Sequence, residues 1–317
     1  NTPDRTDPSR NYKADSGAAV VMDVTNGHVL AMASYPTYDP NHARTPTRNR
    51  AVTDSFEPGS TMKPFMAALA LDRGKYKFDS IINCAPGKMT IGTATISDAH
   101  PHGALTLAQV IQKSSNIGAT KIALGFPPED MWTMMSKAGF GKPTGLGFPG
   151  EVGGRLRPWQ TWKPIEQATM SYGHGVSVTV VQLAHAYTAF ARDGDAVQLS
   201  LLKTKGAVSS QPVFAPETSR QVRLMLEMVV SPEGTANKAA VPGYRVGGKT
   251  GDGRGHLNRR IACRDDLLRR RIAIEGRRPI FEMDGGFTAL RTHDTDQRGR
   301  RVGHRNRIGC DRYRRIL

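Results

Sequence analysis

At 317 residues, 38% of them hydrophobic, the chain can build one large domain or two ordinary ones around a sizeable core. No apolar run reaches the roughly eighteen residues that would span a bilayer, no leader-like segment follows Asn1, and the cysteines Cys84, Cys263 and Cys310 are too scattered for metal-ligand spacing. The formal net charge of +16 invites a nucleic-acid reading, but residues 252–317 hold 18 arginines, no lysine and 9 acids, which leaves only a moderate excess on residues 1–251.

Residues 1–15 are polar, contain Pro3 and Pro8, and read as a linker or the remnant of a preceding domain. Apolar runs at 18–24 and 29–33 flank Asn26–Gly27 and predict a β-hairpin. A Pro- and Thr-rich loop follows from Tyr35 to Asn49. Phe65, Met66, Leu69 and Ala70 then predict a helix that Gly74 closes. Short strand-like pieces are expected at 89–91 and 94–96. Helices are expected at 106–114, through Ile117, Ile122 and Leu124, and at 128–138. Residues 139–154 form a glycine-rich loop with the wrong spacing for a phosphate cradle. Val180 to Phe190 and Glu217 to Val230 carry strong helical periodicity, and residues 244–251 read as a strand.

Beyond Gly251 the periodicity fails. Clusters such as Arg269–Arg271 appear among scattered glycines, as they would in a GC-rich frame read out of register. A genuine basic tail that binds nucleic acid or a membrane surface is the alternative. The expectation is that residues 252–317 are aberrant, lie outside the fold and are disordered or poorly packed, leaving the sheet open at the Lys249 strand.

The chemistry concentrates in Phe56-Glu57-Pro58-Gly59-Ser60-Thr61-Met62-Lys63-Pro64. Ser60 stands at a predicted helix start, where free N–H groups and the positive dipole end converge. Lys63, three residues on, shares its face, and a serine beside an amine is a nucleophile with its own base. Alone, Ser-x-x-Lys also fits an ordinary solvated helix start. Its company is more specific: Ser114-x-Asn116 and then Lys249-Thr250-Gly251 follow in the order of the serine acyl-transferase set.

Longer blocks carry the same signal: 98–116, Gly145-Leu-Gly-Phe-Pro-Gly-Glu-Val-Gly-Gly-Arg-Leu156, Pro164-Ile-Glu-Gln-Ala-Thr-Met-Ser-Tyr-Gly-His-Gly175 and 234–251. Over roughly residues 16–251 the chain resembles the transpeptidase domain of class B penicillin-binding proteins, most of all their septal branch. The resemblance implies an α+β (mixed α/β) fold of the penicillin-binding protein/β-lactamase kind: a central, mainly antiparallel sheet flanked by helices, with an all-helical lobe. It implies a serine-type peptidoglycan D,D-transpeptidase with no cofactor and no metal, crosslinking stem peptides that end in D-Ala-D-Ala in septal wall synthesis. It would face the periplasm from the inner membrane, work with divisome proteins, and be covalently inhibited by β-lactams.

Residue by residue, the resemblance assigns catalysis to Ser60, Lys63, Ser114 and Asn116, and substrate carboxylate binding to Lys249, Thr250 and Gly251. The backbone N–H groups of Ser60 and Asp252 would form the oxyanion hole. The family continues after the Lys-Thr-Gly motif with Thr-Ala and two more strands, whereas this chain runs Asp252-Gly253-Arg254. An inactive, truncated or frameshifted product is therefore the main alternative. A serine β-lactamase or D,D-carboxypeptidase is disfavoured because Glu166, in Pro-Ile-Glu-Gln-Ala-Thr, lacks the context of a deacylating base. His100, His102 and His174, and Trp159 and Trp162 beside Arg155 and Arg157, read as structural or surface residues rather than a metal or nucleic-acid site.

Overall fold

The computed structural model describes residues 16–38, 41, 48–204 and 206–251, and the backbone of two strands at 280–284 and 287–291. Around Asn26–Gly27 the expected hairpin forms. The strands β1 (Gly17–Asp23) and β2 (His28–Tyr35) pair antiparallel with a bulge at Val21/Met22, and Gly27 takes φ 73° in the turn. After the short helix α1 (Arg50–Thr53), a 3-10 turn over Gly59–Met62 runs straight into α2 (Lys63–Asp72). Pro64 falls in the first turn of α2, where its missing N–H costs nothing. All residues from Lys63 to Ala70 are buried, so α2 is a central helix packed on every side. The Phe65 ring meets Phe140, Tyr187, Phe190 and Phe214 at centroid distances of 4.8–6.3 Å. Aromatic pairs add about 0.5–1.5 kcal/mol each beyond burial, so this cluster fixes the helix firmly.

Four short strands follow: β3 (Ile81–Asn83), β4 (Lys88–Ile91), β5 (Ala94–Ser97) and β6 (Ala104–Thr106). They make two ribbons, β3 with β6 and β4 with β5. Then come α3 (Leu107–Gln112), α4 (Asn116–Leu124) and α5 (Pro128–Lys137). Thr106 and Gln109 form a reciprocal capping box at α3, satisfying two orphan N–H groups. The helix α6 (Pro164–Met170) is followed by α7 (Val180–Ala191), with the same box made by Thr179 and Gln182. A small ribbon of β7 (Asp195–Val197) and β8 (Ser210–Pro212) precedes α8 (Pro216–Val230) and β9 (Val246–Thr250).

The expectation that the sheet ends at the Lys249 strand does not hold. The strands β10 (Ile280–Asp284) and β11 (Phe287–Arg291) complete an antiparallel five-stranded sheet of order β2-β1-β10-β11-β9. The signal lay in the sequence: Ile-Phe-Glu-Met-Asp, Gly285–Gly286, then Phe-Thr-Ala-Leu is a hairpin pattern, and Asp284 stands opposite Phe287. Its physical driver is the need of both β1 and β9 for a partner edge. The expectations for 1–15 and for the rest of 252–317 fall outside the described residues. On the sheet, α8 lies against β9 and α7 against β1, while α2 packs on α8, α4 and α5. The architecture is thus the mixed α/β one expected, an antiparallel sheet flanked by helices.

Candidate functional site

The site grows from the N-terminal end of α2. Pro58 and Gly59 (φ 56°) turn the chain into the 3-10 turn, Ser60 is its second residue, and Lys63 starts the helix three residues later. The Lys63 side chain is fully buried. Its Nζ lies 2.9 Å from Ser60 Oγ, 2.7 Å from Asn116 Oδ1 and 3.1 Å from Ser114 Oγ, and also donates to the Ser114 carbonyl. The sequence spacing put Ser60 and Lys63 together. The fold adds Ser114 and Asn116 from the α3–α4 junction, 51 and 53 residues away from Lys63.

Ser114 pays for that contact in backbone strain. It has φ 59°, the only left-handed non-glycine conformation among the described residues, at a cost of about 1–2 kcal/mol. That conformation turns its carbonyl and its hydroxyl toward the same amine. Unusual backbone of this kind persists where surrounding contacts over-determine it, commonly at functional sites.

The third motif enters from the sheet. Lys249, also fully buried, places Nζ 2.8 Å from Ser114 Oγ and 2.9 Å from the Thr250 carbonyl. Ser114 Oγ is therefore held between two amines. When it accepts from both, its own proton is free to be donated elsewhere. Thr250 Oγ1 lies 3.1 Å from Thr235 Oγ1, and Gly251 is buried at the strand end. Seven of the expected residues, Ser60, Lys63, Ser114, Asn116, Lys249, Thr250 and Gly251, thus lie on or beside one connected set. Asp252, expected as the second oxyanion donor, lies outside the described residues.

Several supporting contacts were not legible in the motif pattern. Tyr187, fully buried on α7, donates to the Thr61 carbonyl at 2.7 Å and so ties the Ser60 turn to the core. Burial raises its pKa well above the usual tyrosine value and keeps the phenol a donor. Glu57 accepts from Gly175 N–H at 2.8 Å and meets His174 Nδ1 at 3.0 Å, stapling the 172–175 turn to the Ser60 segment. Gly173 (φ 85°) allows this approach, since a Cβ there would lie 2.1 Å from the Gly59 oxygen. Spacing in sequence gives no hint of such pairs, which are more than a hundred residues apart.

Glu166 is occupied elsewhere. It accepts from Lys163 N–H at 2.8 Å at the start of α6 and bridges Arg157 at 2.8 Å, and these two partners hold its carboxyl below the usual range. His174 belongs to the Glu57 staple, and Trp162 is buried with its N–H on the Arg157 carbonyl at 3.1 Å. Among the described residues no three His, Cys, Asp or Glu side chains gather as a metal site, and no helix is long and apolar enough to cross a membrane.

Comparison with known proteins gives the same picture. Residues 17–257 match the family described as penicillin binding protein transpeptidase domain. The chain is 42% identical over 255 residues to the probable peptidoglycan D,D-transpeptidase PenA of Neisseria gonorrhoeae, covering 79% of this chain and 44% of PenA. It is 42% identical over 261 residues to the peptidoglycan D,D-transpeptidase FtsI of Escherichia coli, with the same coverage. The chain therefore spans less than half the length of these curated relatives. Among solved structures, the transpeptidase domain of Burkholderia pseudomallei penicillin-binding protein 3 aligns at 44% identity with a TM-score of 0.72. That alignment covers 87% of this chain and 79% of that one.

Proposed function

This chain belongs to the penicillin-binding protein transpeptidase domain family, and from that premise we propose that it is a peptidoglycan D,D-transpeptidase acting through an acyl-enzyme on Ser60. The observation that carries the reading is the amine of Lys63, 2.9 Å from Ser60 Oγ and fixed by Asn116 and Ser114.

Ser60 Oγ attacks the carbonyl of the penultimate D-Ala of a stem peptide while the neutral Lys63 amine takes its proton. The tetrahedral oxyanion collapses, the C–N bond to the terminal D-Ala breaks, and the departing amine is protonated through Ser114. An amine of a neighbouring stem then attacks the ester, forms the crosslink and returns the proton to Ser60. Asn116 orients Lys63 and the substrate amide. Lys249 and Thr250, with Gly251 giving the backbone room, bind the terminal carboxylate. The Ser60 N–H donates to the oxyanion, with the backbone N–H of Asp252 as its partner.

Peptidoglycan stems and β-lactams are the ligands in this reading, and divisome proteins are its partners. Septal synthesis at the periplasmic face of the inner membrane is the place this reading gives it, on the strength of the chain's resemblance to the septal branch of the family. A β-lactamase or carboxypeptidase reading is weaker, because Glu166 caps α6 and pairs with Arg157.

Incubation with a fluorescent penicillin tests the proposal. Persistent stoichiometric label is expected on the parent, with none on Ser60→Ala at an unchanged melting temperature. Label that turns over indicates a β-lactamase, and no label on the parent indicates an inactive product. Retained label on folded Ser60→Ala overturns the assignment.

A further inference from the structure

We propose that Asp98 is a positioning residue for acylation: its carboxylate sets the Ser114–Asn116 turn so that Lys63 faces the right oxygens. The inference rests on Ser60 acylation as proposed above and adds a residue that the three motifs do not contain.

Asp98 directly follows β5, and its own N–H is anchored on the Gly87 carbonyl at 2.9 Å. Its Oδ2 accepts from Ser115 Oγ at 2.8 Å, and its Oδ1 accepts from the backbone N–H of Asn116 and, at 3.0 Å, of Ile117. Three donors at the start of α4 therefore converge on one side chain from a different ribbon. The neighbouring Ser97 carbonyl accepts from Asn116 Nδ2 at 2.8 Å. That bond fixes the amide's orientation: with Nδ2 turned to Ser97, Oδ1 points at Lys63 Nζ, 2.7 Å away.

The same clamp explains how Ser114 holds φ 59°. On one side its turn is closed by Ser115 N–H on the Val110 carbonyl at 3.0 Å; on the other, Ser115 and Asn116 are pinned to Asp98. Ser114 is left to turn both of its oxygens toward Lys63. If the carboxylate shifts, the Asn116 amide and the Ser114 carbonyl shift with it, and the acceptors around the base move together. Displacements of about 1 Å in a catalytic array cost on the order of 100-fold in rate.

Two substitutions separate placement from charge. In Asp98→Asn the amide oxygen still receives both backbone N–H groups, and its NH2 donates to the Ser115 hydroxyl, so the geometry survives without the charge. Asp98→Glu keeps the charge and the acceptors but moves them out by about 1.5 Å, one carbon–carbon bond. Stopped-flow acylation by a fluorescent penicillin gives the acylation rate and the preceding Kd separately, and thermal melts verify folding. Asp98→Asn is expected within about threefold of the parent rate. Asp98→Glu is expected to lose about 10- to 100-fold in rate, with Kd changed less than threefold. If Asp98→Glu does not fold, Asp98→Ser, too short to reach all three donors, replaces it with the same expectation. Equal or faster acylation by Asp98→Glu than by Asp98→Asn overturns the proposal in favour of a charge effect. Rates within twofold of the parent for both reduce Asp98 to a helix cap. A parent that takes no label instead removes the acylation reading itself.

Discussion

The two halves of the site are held by different physics. The Ser60–Lys63 and Ser114–Asn116 half is rooted in the helical core: α2 is buried from Lys63 to Ala70, Tyr187 grips the turn at Thr61, and side-chain hydrogen bonds close the array. The Lys249–Gly251 half rides on β9, which among the described residues is the last strand of the sheet and pairs with β11. One half is fixed by packing around α2, the other by a backbone ladder formed with a segment more than thirty residues downstream. Side-chain packing is set within contiguous cores, whereas a ladder depends on a distant strand finding its register. Loss of a side chain in the first half should therefore strike chemistry directly, and a break in the ladder should reach the second half through stability.

The largest effect expected lies in the first half. Lys63→Arg keeps a cation but removes the amine that can be neutral, because guanidinium does not deprotonate in proteins. Acylation by penicillin should fall about 10²- to 10⁴-fold, the usual worth of a general base. A rate near the parent's would show that Lys63 acts by charge and that the base is elsewhere. Next comes Gly173→Ala, which presses a methyl group to 2.1 Å from the Gly59 oxygen at a φ of 85°. Strain and overpacking together should cost about 2–5 kcal/mol and displace Ser60. A normal melting temperature and normal labelling would mean that the 172–175 turn can retreat, and that the first half is less rigid than argued.

The second half is probed by Ala289→Pro. Ala289 in β11 stands between Gly248 and Glu282, so its N–H faces a neighbouring strand. Losing that donor leaves a carbonyl unpaired and should cost about 1–3 kcal/mol, read as a lower melting temperature with labelling reduced in proportion to the unfolded fraction. No change in melting would show that β10 and β11 do not pair with β9 in solution.

The same division governs what could be read in the sequence. Ser60 and Lys63 lie one helical turn apart, so local periodicity exposed their relation; the order of the other motifs supplied Ser114, Asn116 and Lys249. The helices with strong apolar periodicity, α7 and α8, appear within a residue or two of their expected bounds. Short elements whose existence depends on a distant partner, such as β3 with β6 or β7 with β8, left no local pattern. The hairpin of β10 and β11 did leave one, but the arginines around it masked the alternation. Periodicity placed Tyr187 on a helix but gave no hint of its bond to Thr61, and Asp98 and Glu57 carry no periodic signal, since each role is defined by a partner in another element.

The smallest effect expected concerns acid, and it falls on the helical half. His185 of α7, two residues before Tyr187, places Nε2 2.9 Å from the Val197 carbonyl, so the neutral ring donates there. Burial is the main cause that lowers its pKa below the ordinary 6.5, outweighing the Val197 contact and the field of Glu151. The sign follows: above about pH 6.5 the ring is neutral in both folded and unfolded chains and pH has no effect through it. As pH falls below that value the unfolded chain takes the proton first, so stability declines until the folded ring also titrates. Glu166 and Asp195, whose pKa values are lowered by their hydrogen bonds, contribute only at more acid pH. Between pH 7 and pH 5 the melting temperature of the parent should fall. In His185→Gln, whose amide can still donate to Val197, the fall should be smaller. An identical slope in the two proteins would mean that α7 does not hold this ring neutral. The acid sensitivity would then have to arise outside the helical half.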